Sequence, residues 1–373
     1  MPLPIDITDP VNARILAISE DRIAGFLEEP FAEIAALSGV PLETVIERLR
    51  AMLESGTIRR IRQTLMATNL APGALVAWQI PADRLDAGFE FLWRDDPFSG
   101  HIVVRSTDAE TTGSAYRLWT TLKVPQGYSM RRHCELLRER IGAEAYRIMP
   151  AKNLFALGVG HVRRRGMEPG SRSDGPGQVI DTNIVELSDL DWRVLEPLKR
   201  EFTAGEIGLH PWVARAAEAQ LPLEEFLRVA RSLADRGVIG RFSTFLEHVK
   251  PSATGTRVTR YNALFHWRVP PGREIETGRE VGRHHIITHA YWREGGPEFA
   301  NVNIMAVAHG TDKGVVLDHK RAIDEHLAEA EIPVLYTNVF WGGRSEIKPS
   351  EISPVAYARW CQSIGVDPEQ MRD

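Results

Sequence analysis

The chain repeats itself. The stretch "GVPLETVIERLRAMLESGTIRRIRQTL", beginning at Gly39, aligns without a gap on "QLPLEEFLRVARSLADRGVIGRFSTFL", beginning at Gln220. Pro41 falls on Pro222, Glu43 on Glu224, Gly56 on Gly237, Ile58 on Ile239, Arg60 on Arg241 and Leu65 on Leu246. Further on, "ALVAWQIP" (Ala74 to Pro81) matches "ALFHWRVP" (Ala263 to Pro270), with Trp78 on Trp267 and about eight extra residues between the blocks of the second copy. A long internal repeat of this kind limits the fold to one built twice. The intervening "RRRGMEPGSRSDGPGQ" is rich in Gly, Pro, Ser and charge and reads as an exposed linker.

Each copy begins with helices. "DPVNARILAIS" carries apolar residues at helical spacing, and "FAEIAALSGVPLETVIERLRAMLESG" gives a helix, a turn at Ser38-Gly39 and a second helix capped by Gly56. "TIRRI" then leaves in extended form, which completes a helix-turn-helix with a short wing. The remainder alternates strand and helix. In the second copy the pattern predicts strand 260–269, helix 272–283, strands 284–292 and 302–309, helix 311–328 and strand 332–340. In the first it predicts strand 73–81, helix 82–95, strands 101–106 and 115–122, helix 127–141 and strand 144–149. The order βαββαβ is that of a ferredoxin-like sheet with two helices on one face. The expected fold class is α+β, a duplicated winged helix-turn-helix plus ferredoxin-like domain. The expected divisions are 1–62 and 63–164 for the first copy, 165–185 for the linker, 186–243 and 244–345 for the second copy, and 346–373 for a C-terminal tail. The two sheets should pair about a pseudo-twofold axis within the chain, with a homodimer as a further option.

Composition narrows the function classes. With 373 residues and 43% hydrophobic content the chain is long enough for two or more cores. A net charge of -5 leaves no global basic field for nucleic acid. The cysteines, Cys134 and Cys361, fit no metal or disulfide spacing. "MPLPIDITDP" has neither the apolar core nor the basic flank of a signal peptide, and no apolar run approaches the roughly 18 residues that span a bilayer. The expectation is a cytoplasmic protein with no membrane partner.

The histidines are unevenly shared. Of the twelve, three lie in the first copy (His101, His133, His161) and nine in the second (His210, His248, His266, His284, His285, His289, His309, His319, His326). Duplicated cores need similar residues, so this excess points to chemistry confined to one copy. His248 falls opposite Ala67, His266 opposite Ala77, His289 near Val104 and His309 near Lys123. Strand parity would put His285, Ile287, His289 and Tyr291 on one face. His319 and His326 read as solvated surface of a helix, and His210, before Pro211, as a turn residue. No HxH, HExxH or CxxC spacing is present, so no zinc site and no metal ligands are expected.

A winged helix followed by a ferredoxin-like sheet resembles the Lrp/AsnC transcription regulators. The residues that would face DNA from the second helix of each motif are acidic or apolar: Leu42, Glu43, Thr44 and Glu47, then Leu223, Glu224, Glu225 and Phe226. Carboxylates near phosphates repel, so duplex DNA is not the expected ligand.

"GVIGRFSTFLEH", "NALFHWRVP" and "GREVGRHHIITHAYWREGGPEFANVNIMAVAHG" form an ordered series that resembles the siroheme decarboxylases, an Lrp/AsnC-like family that no longer regulates transcription. Arg241 and Phe242 match its Arg-Phe segment, His248 the following histidine, and Trp267 a strand tryptophan. His289, Tyr291 and Arg293 match a Thr-His-Cys-Tyr-x-Arg strand, and Asn303, His309 and Gly310 a Tyr-Asn-Leu strand ending in His-Gly. Ala290 replaces the cysteine, Val302 the tyrosine and Val249 an arginine, and the loop "VKPSATGTRVTR" is longer than the family's. The duplicated chain resembles the family's fused two-subunit form. The resemblance implies an iron tetrapyrrole substrate, siroheme or haem-like, whose acetate side chains lose carbon dioxide, with no cofactor beyond the substrate itself. It implies His248 and His289 as catalytic residues, and Arg241, Trp267, Tyr291, Arg293, Asn303 and His309 as substrate-binding residues. An imidazole suits proton delivery at neutral pH, and arginine forks suit a ring of carboxylates; Arg257, Arg260, Arg268 and Arg344 are further candidates for the rim. A tetrapyrrole-binding sensor or carrier, and a DNA-binding regulator with an effector pocket, are the alternatives.

Overall fold

The computed structural model describes residues 3–66, 69–158, 166–180, 184–247 and 260–372. In chain order the first copy runs α1 (Pro10–Ser19), β1 (Ile23–Ala24), α2 (Pro30–Ser38), α3 (Leu42–Glu54), β2 (Ile58–Leu65), β3 (Gly73–Gln79), α4 (Leu85–Arg94), β4 (Ser99–Ser106), β5 (Tyr116–Lys123), α5 (Met130–Ile141), β6 (Ala145–Pro150) and β7 (Asn153–Leu157). The second runs α6 (Asp189–Lys199), α7 (Val213–Glu218), α8 (Leu223–Asp235), β8 (Ile239–Leu246), β9 (Tyr261–Arg268), α9 (Glu274–Gly282), β10 (Ile287–Trp292), β11 (Ile304–Gly310), α10 (Lys313–Glu329) and β12 (Tyr336–Ile347), and the chain closes with α11 (Pro354–Ser363). The chain forms two compact units, and each draws on both copies. One gathers residues 1–66, 158–166 and 185–260, the other 67–157, 167–184 and 261–373.

In the first unit the repeat is local. Pro41 precedes α3 and Pro222 precedes α8, where a fixed φ suits a helix start. Gly56 and Gly237 follow the helices at φ 77° and 70°, a left-handed turn that only glycine adopts cheaply. The apolar stripe of α3 (Val45, Leu49, Met52) and that of α8 (Phe226, Val229, Ala230, Leu233) are buried. The two wings do not project separately. They pair antiparallel, Ile61 opposite Thr244, in a three-stranded sheet of order β1-β8-β2. Several arginines of this unit are engaged internally: Arg48 with Asp9, Arg50 with the Ile207 carbonyl and Arg60 with Glu201.

The second unit is a nine-stranded sheet of order β6-β3-β5-β4-β12-β9-β11-β10-β7. The βαββαβ order appears twice. Each copy's last strand also continues onto the other copy's free edge: β12 pairs with β9 and then with β4, while β6 pairs with β3 and β7 with β10. This reciprocal exchange is the expected pseudo-dimer within one chain. The extensions, 341–347 of β12 and the whole of β7, lie beyond the strands expected from sequence. Neither has a period-2 signal strong enough to show that it will find an edge.

Each copy has a helix-side core. Trp78, Phe89, Leu118 and Leu137 fill one, and Phe265, Trp267, Ile304 and Ile323 the other. A third core lies on the opposite sheet face and joins the copies through Trp119, Val103, Met149, Leu264, Phe299, Met305 and Phe340. The expected C-terminal tail, 346–373, contains a packed helix: α11 buries Tyr357, Trp360 and Cys361 in the first helix-side core, and aromatic side chains of that size stabilise by roughly 2–3 kcal/mol each when buried. The described part of the linker is exposed over most of its length, and Ser173 and Gly177 donate to the carbonyls of Arg283 and Arg279 on the α9 side.

Candidate active site

Strand β10 carries the histidine-rich stretch, and a bulge sets which way its side chains face. Pairing with β11 shifts register between Ile287 and His289. Simple alternation therefore fails. Ile287 and Ala290 both enter the helix-side core, and His289 and Tyr291 stand on the opposite face. His285, expected on the His289 face, lies before the strand and bonds through Nδ1 to Ser171 Oγ at 2.8 Å. The His289 and Tyr291 rings stack 6.2 Å apart at 14°. The Arg293 guanidinium carbon lies 4.4 Å from the Tyr291 ring centroid. Arg293 is buried and donates to the Met149 carbonyl; burial pulls it below the usual arginine range, against the pull of Tyr291.

A hydrogen-bonded series runs inward from the same wall. His289 Nδ1 is 3.0 Å from Thr288 Oγ1, and that hydroxyl is 3.4 Å from His309 Nδ1. His309 Nε2 is 3.1 Å from Asn262 Nδ2, and Asn262 Oδ1 accepts from Arg105 Nη1 at 3.3 Å. Arg105 belongs to the first copy. It is buried, and desolvation alone pushes it down to about 9, so it stays charged at neutral pH. Beside it His266 is buried among Trp119, Phe299 and Phe340 and pushed down to about 3 by burial and by Arg105. Burial, with Arg293 nearby, lowers Lys123 to about 8. Among the described residues no carboxylate pairs with Arg105, Arg293 or Lys123. This inner face is cationic and aromatic, an environment suited to a flat polyanion.

Register shows what each copy holds at matching positions. Ala74 pairs with Leu122 and Ala263 with Ala308, so Lys123 matches His309, Thr121 matches Val307 and Gly73 matches Asn262. His101 pairs with Thr121 and His289 with Val307, each just after a register shift. The counterpart of His289 is thus His101, not Val104, because the pairing register, shifted at the same place in both copies, fixes the match. Arg105 then matches Arg293, and the bond from Arg105 to the Phe340 carbonyl at 3.4 Å mirrors that from Arg293 to Met149. Thr288 matches Gly100, where a Cβ would collide with Ser350 Oγ.

The expected site residues divide. His289, Tyr291, Arg293 and His309 come together on the inner face. Trp267 does not: it is fully buried on the helix side, where its indole N–H donates to Asp324 at 2.7 Å. Asn303 ties strand to helix, accepting from Val269 N and donating to the Val269 carbonyl and Glu274. Arg241 lies on β8 in the first unit, with its Nε on Ser243 Oγ. His248 and Arg257 lie outside the described residues. Arg344 engages Asp86 and Glu90. His319 and His326 are buried, not surface residues; His326 bonds His284 at 2.8 Å and Glu280 at 3.0 Å. Long amphipathic helices such as α10 hide these rings because their contacts come from distant segments. Thr288, Asn262 and Arg105 escaped the sequence reading. The spacing His101-x-x-x-Arg105, echoing His289-x-x-x-Arg293, was a signal for the last.

The AsnC-like ligand binding domain matches twice, over residues 71–156 and 259–340. A siroheme decarboxylase of Hydrogenobacter thermophilus is 24% identical over 80% of this chain and 82% of its own. The chain is similar to a siroheme decarboxylase over most of the length of both proteins. A siroheme decarboxylase beta subunit of Desulfovibrio desulfuricans is 28% identical over 32% of this chain and 74% of its own. Among solved structures, the siroheme decarboxylase NirDL covers 95% of this chain and 98% of its own, with a TM-score of 0.65 at 19% identity. The same protein in complex with an iron-uroporphyrin III analogue matches with a TM-score of 0.64 at 18% identity. The domain match, the Hydrogenobacter relative and the NirDL structures run through both copies, whereas the beta-subunit match covers 32% of the chain.

Proposed function

We propose that the protein is a siroheme decarboxylase whose working site lies on the inner sheet face of the second copy. The observation that carries the placement is the His289–Tyr291–Arg293 wall joined through Thr288 to His309, on a face whose Arg105, Arg293 and Lys123 pair with no carboxylate among the described residues. In this reading the aromatic side chains hold the flat ring and Arg293 meets one of its carboxylates. The reaction breaks the bond between the carboxylate carbon and the methylene carbon of an acetate side chain. Carbon dioxide leaves, the electron pair passes into the pyrrole system, and a proton adds at the methylene carbon to give a methyl group. His289 supplies that proton, and His309 supports it through the shared Thr288 hydroxyl. Enclosing the reacting carboxylate away from water, beside fixed cations, favours its loss as neutral carbon dioxide. No helix among the described residues is long and apolar enough to cross a membrane.

The test is anaerobic incubation with siroheme, followed by mass spectrometry of the tetrapyrrole. Loss of carbon dioxide supports the reading. Tight binding with an unchanged mass would make the protein a tetrapyrrole carrier or sensor instead.

A further inference from the structure

Arg105 comes from the copy that lacks the histidine set, yet it is the far end of the series that reaches His289. Each step of that series is constrained by which group can donate. A guanidinium only donates. The Asn262 atom facing Arg105 is therefore the carbonyl oxygen, and the atom facing His309 Nε2 is the NH₂. An NH₂ group donates, so His309 Nε2 must carry a lone pair. The remaining proton of a neutral His309 is then on Nδ1, facing Thr288 Oγ1. The Thr288 hydroxyl gives its own proton to the Val307 carbonyl at 3.1 Å, which leaves it only lone pairs for the two imidazoles. His289 must accordingly present an N–H from Nδ1 as well. That leaves His289 Nε2 as the nitrogen that picks up and releases a proton.

We propose that Arg105 is a positioning residue for the second copy's site, fixing through Asn262 the tautomer of His309, which shares the Thr288 hydroxyl with His289. Only one of the two pseudo-symmetric arginines does this. Arg293, its counterpart, would meet Gly73 and Lys123 where Arg105 meets Asn262 and His309, and neither residue can pass on the constraint. The consequence for turnover rests on the functional reading above. The tautomer assignment does not, so the two can fail separately.

The experiment is ¹⁵N NMR of histidine-labelled full-length protein near neutral pH, with His289→Gln and His309→Gln used to assign the signals. Wild type should show His309 protonated on Nδ1 only and His289 carrying a proton on Nδ1. Arg105→Met should free the Asn262 amide to turn, so a second, Nε2-protonated form of His309 appears; Arg105→Lys, also a donor only, should restore the wild-type pattern. If Arg105→Met does not fold, Asn262→Asp tests the same link, because a carboxylate facing Nε2 requires a proton there. In the siroheme assay Arg105→Met should lose roughly tenfold to a hundredfold in turnover with substrate binding little changed. Unaltered tautomers in both Arg105→Met and Asn262→Asp would overturn the proposal, as would a wild-type His309 protonated on Nε2. Lost turnover with unaltered tautomers would also overturn it, placing Arg105 on the substrate. Altered tautomers in a protein that never consumes siroheme would uphold the relay and sink the functional reading.

Discussion

The two ferredoxin-like copies keep the same frame and differ in what hangs from it. Both place a histidine just past a bulge, His101 and His289, and a buried arginine four residues on, Arg105 and Arg293. Both arginines bond the facing strand of the other copy, at Phe340 and Met149. Those bonds hold the pseudo-dimer together, which is reason enough for both copies to have them. The polar relay exists once. The first copy has Gly73, Gly100 and Lys123 where the second has Asn262, Thr288 and His309, and its His101 turns to Ser345 at 2.8 Å. The comparison separates scaffold from chemistry: the arginines that recur lock the sheets, and the Asn262–Thr288–His309 relay beside His289, which occurs once, is the candidate for function.

The sharpest way to break this comparison is to give the second copy the first copy's residues. Asn262→Gly with His309→Lys should cut siroheme turnover by about a hundredfold to ten-thousandfold, measured anaerobically, with the fold retained because the first copy already tolerates both residues. A second contrast concerns His266, for which the first copy has Ala77. The native ring stays neutral down to about 3, whereas an unfolded histidine binds a proton near pH 6.5. The unfolded state therefore gains protons first as pH falls, and stability present above pH 6.5 is lost below it. His266→Leu should reduce that loss by about 2 kcal/mol at pH 5, read from denaturant unfolding at pH 7.5 and pH 5. An identical pH dependence in the variant would show that the ring is not buried neutral. A third contrast concerns Lys123. Its ammonium is disfavoured in the fold, fully so below about pH 8, and it titrates near 10.5 when unfolded, so the penalty fades as pH rises between those values. Lys123→Met should stabilise more at pH 7 than at pH 10.5, read from denaturant unfolding at the two pH values.

Much of this architecture was legible beforehand because it is periodic. Strands β3, β5, β9 and β11 and helices α4, α5, α9 and α10 fall within a few residues of their expected places, since period-2 and period-3.6 patterns report directly on burial. The partnership between copies was legible from the repeat. What could not be read is non-periodic or distant. A bulge moves His289 to the face opposite Ile287 without altering composition. Trp267 and Asn303 match a family motif yet serve the helix-side packing, because a motif records position in the chain and not the face a side chain takes. His326 looked like surface until α9 and the segment ahead of β10 covered it, and His319 until the linker at Met167 met it. Arg105 and Asn262 meet across 157 residues of sequence, and only the exchanged strands bring them within a hydrogen bond.

The central claim is that decarboxylation belongs to the second copy alone. The direct measurement is anaerobic turnover of siroheme by His289→Ala and by His101→Ala, side by side, with folding checked by circular dichroism. The account predicts a loss of about a hundredfold to ten-thousandfold for His289→Ala and turnover close to wild type for His101→Ala. Full turnover in His289→Ala, or equal losses in both variants, would contradict it.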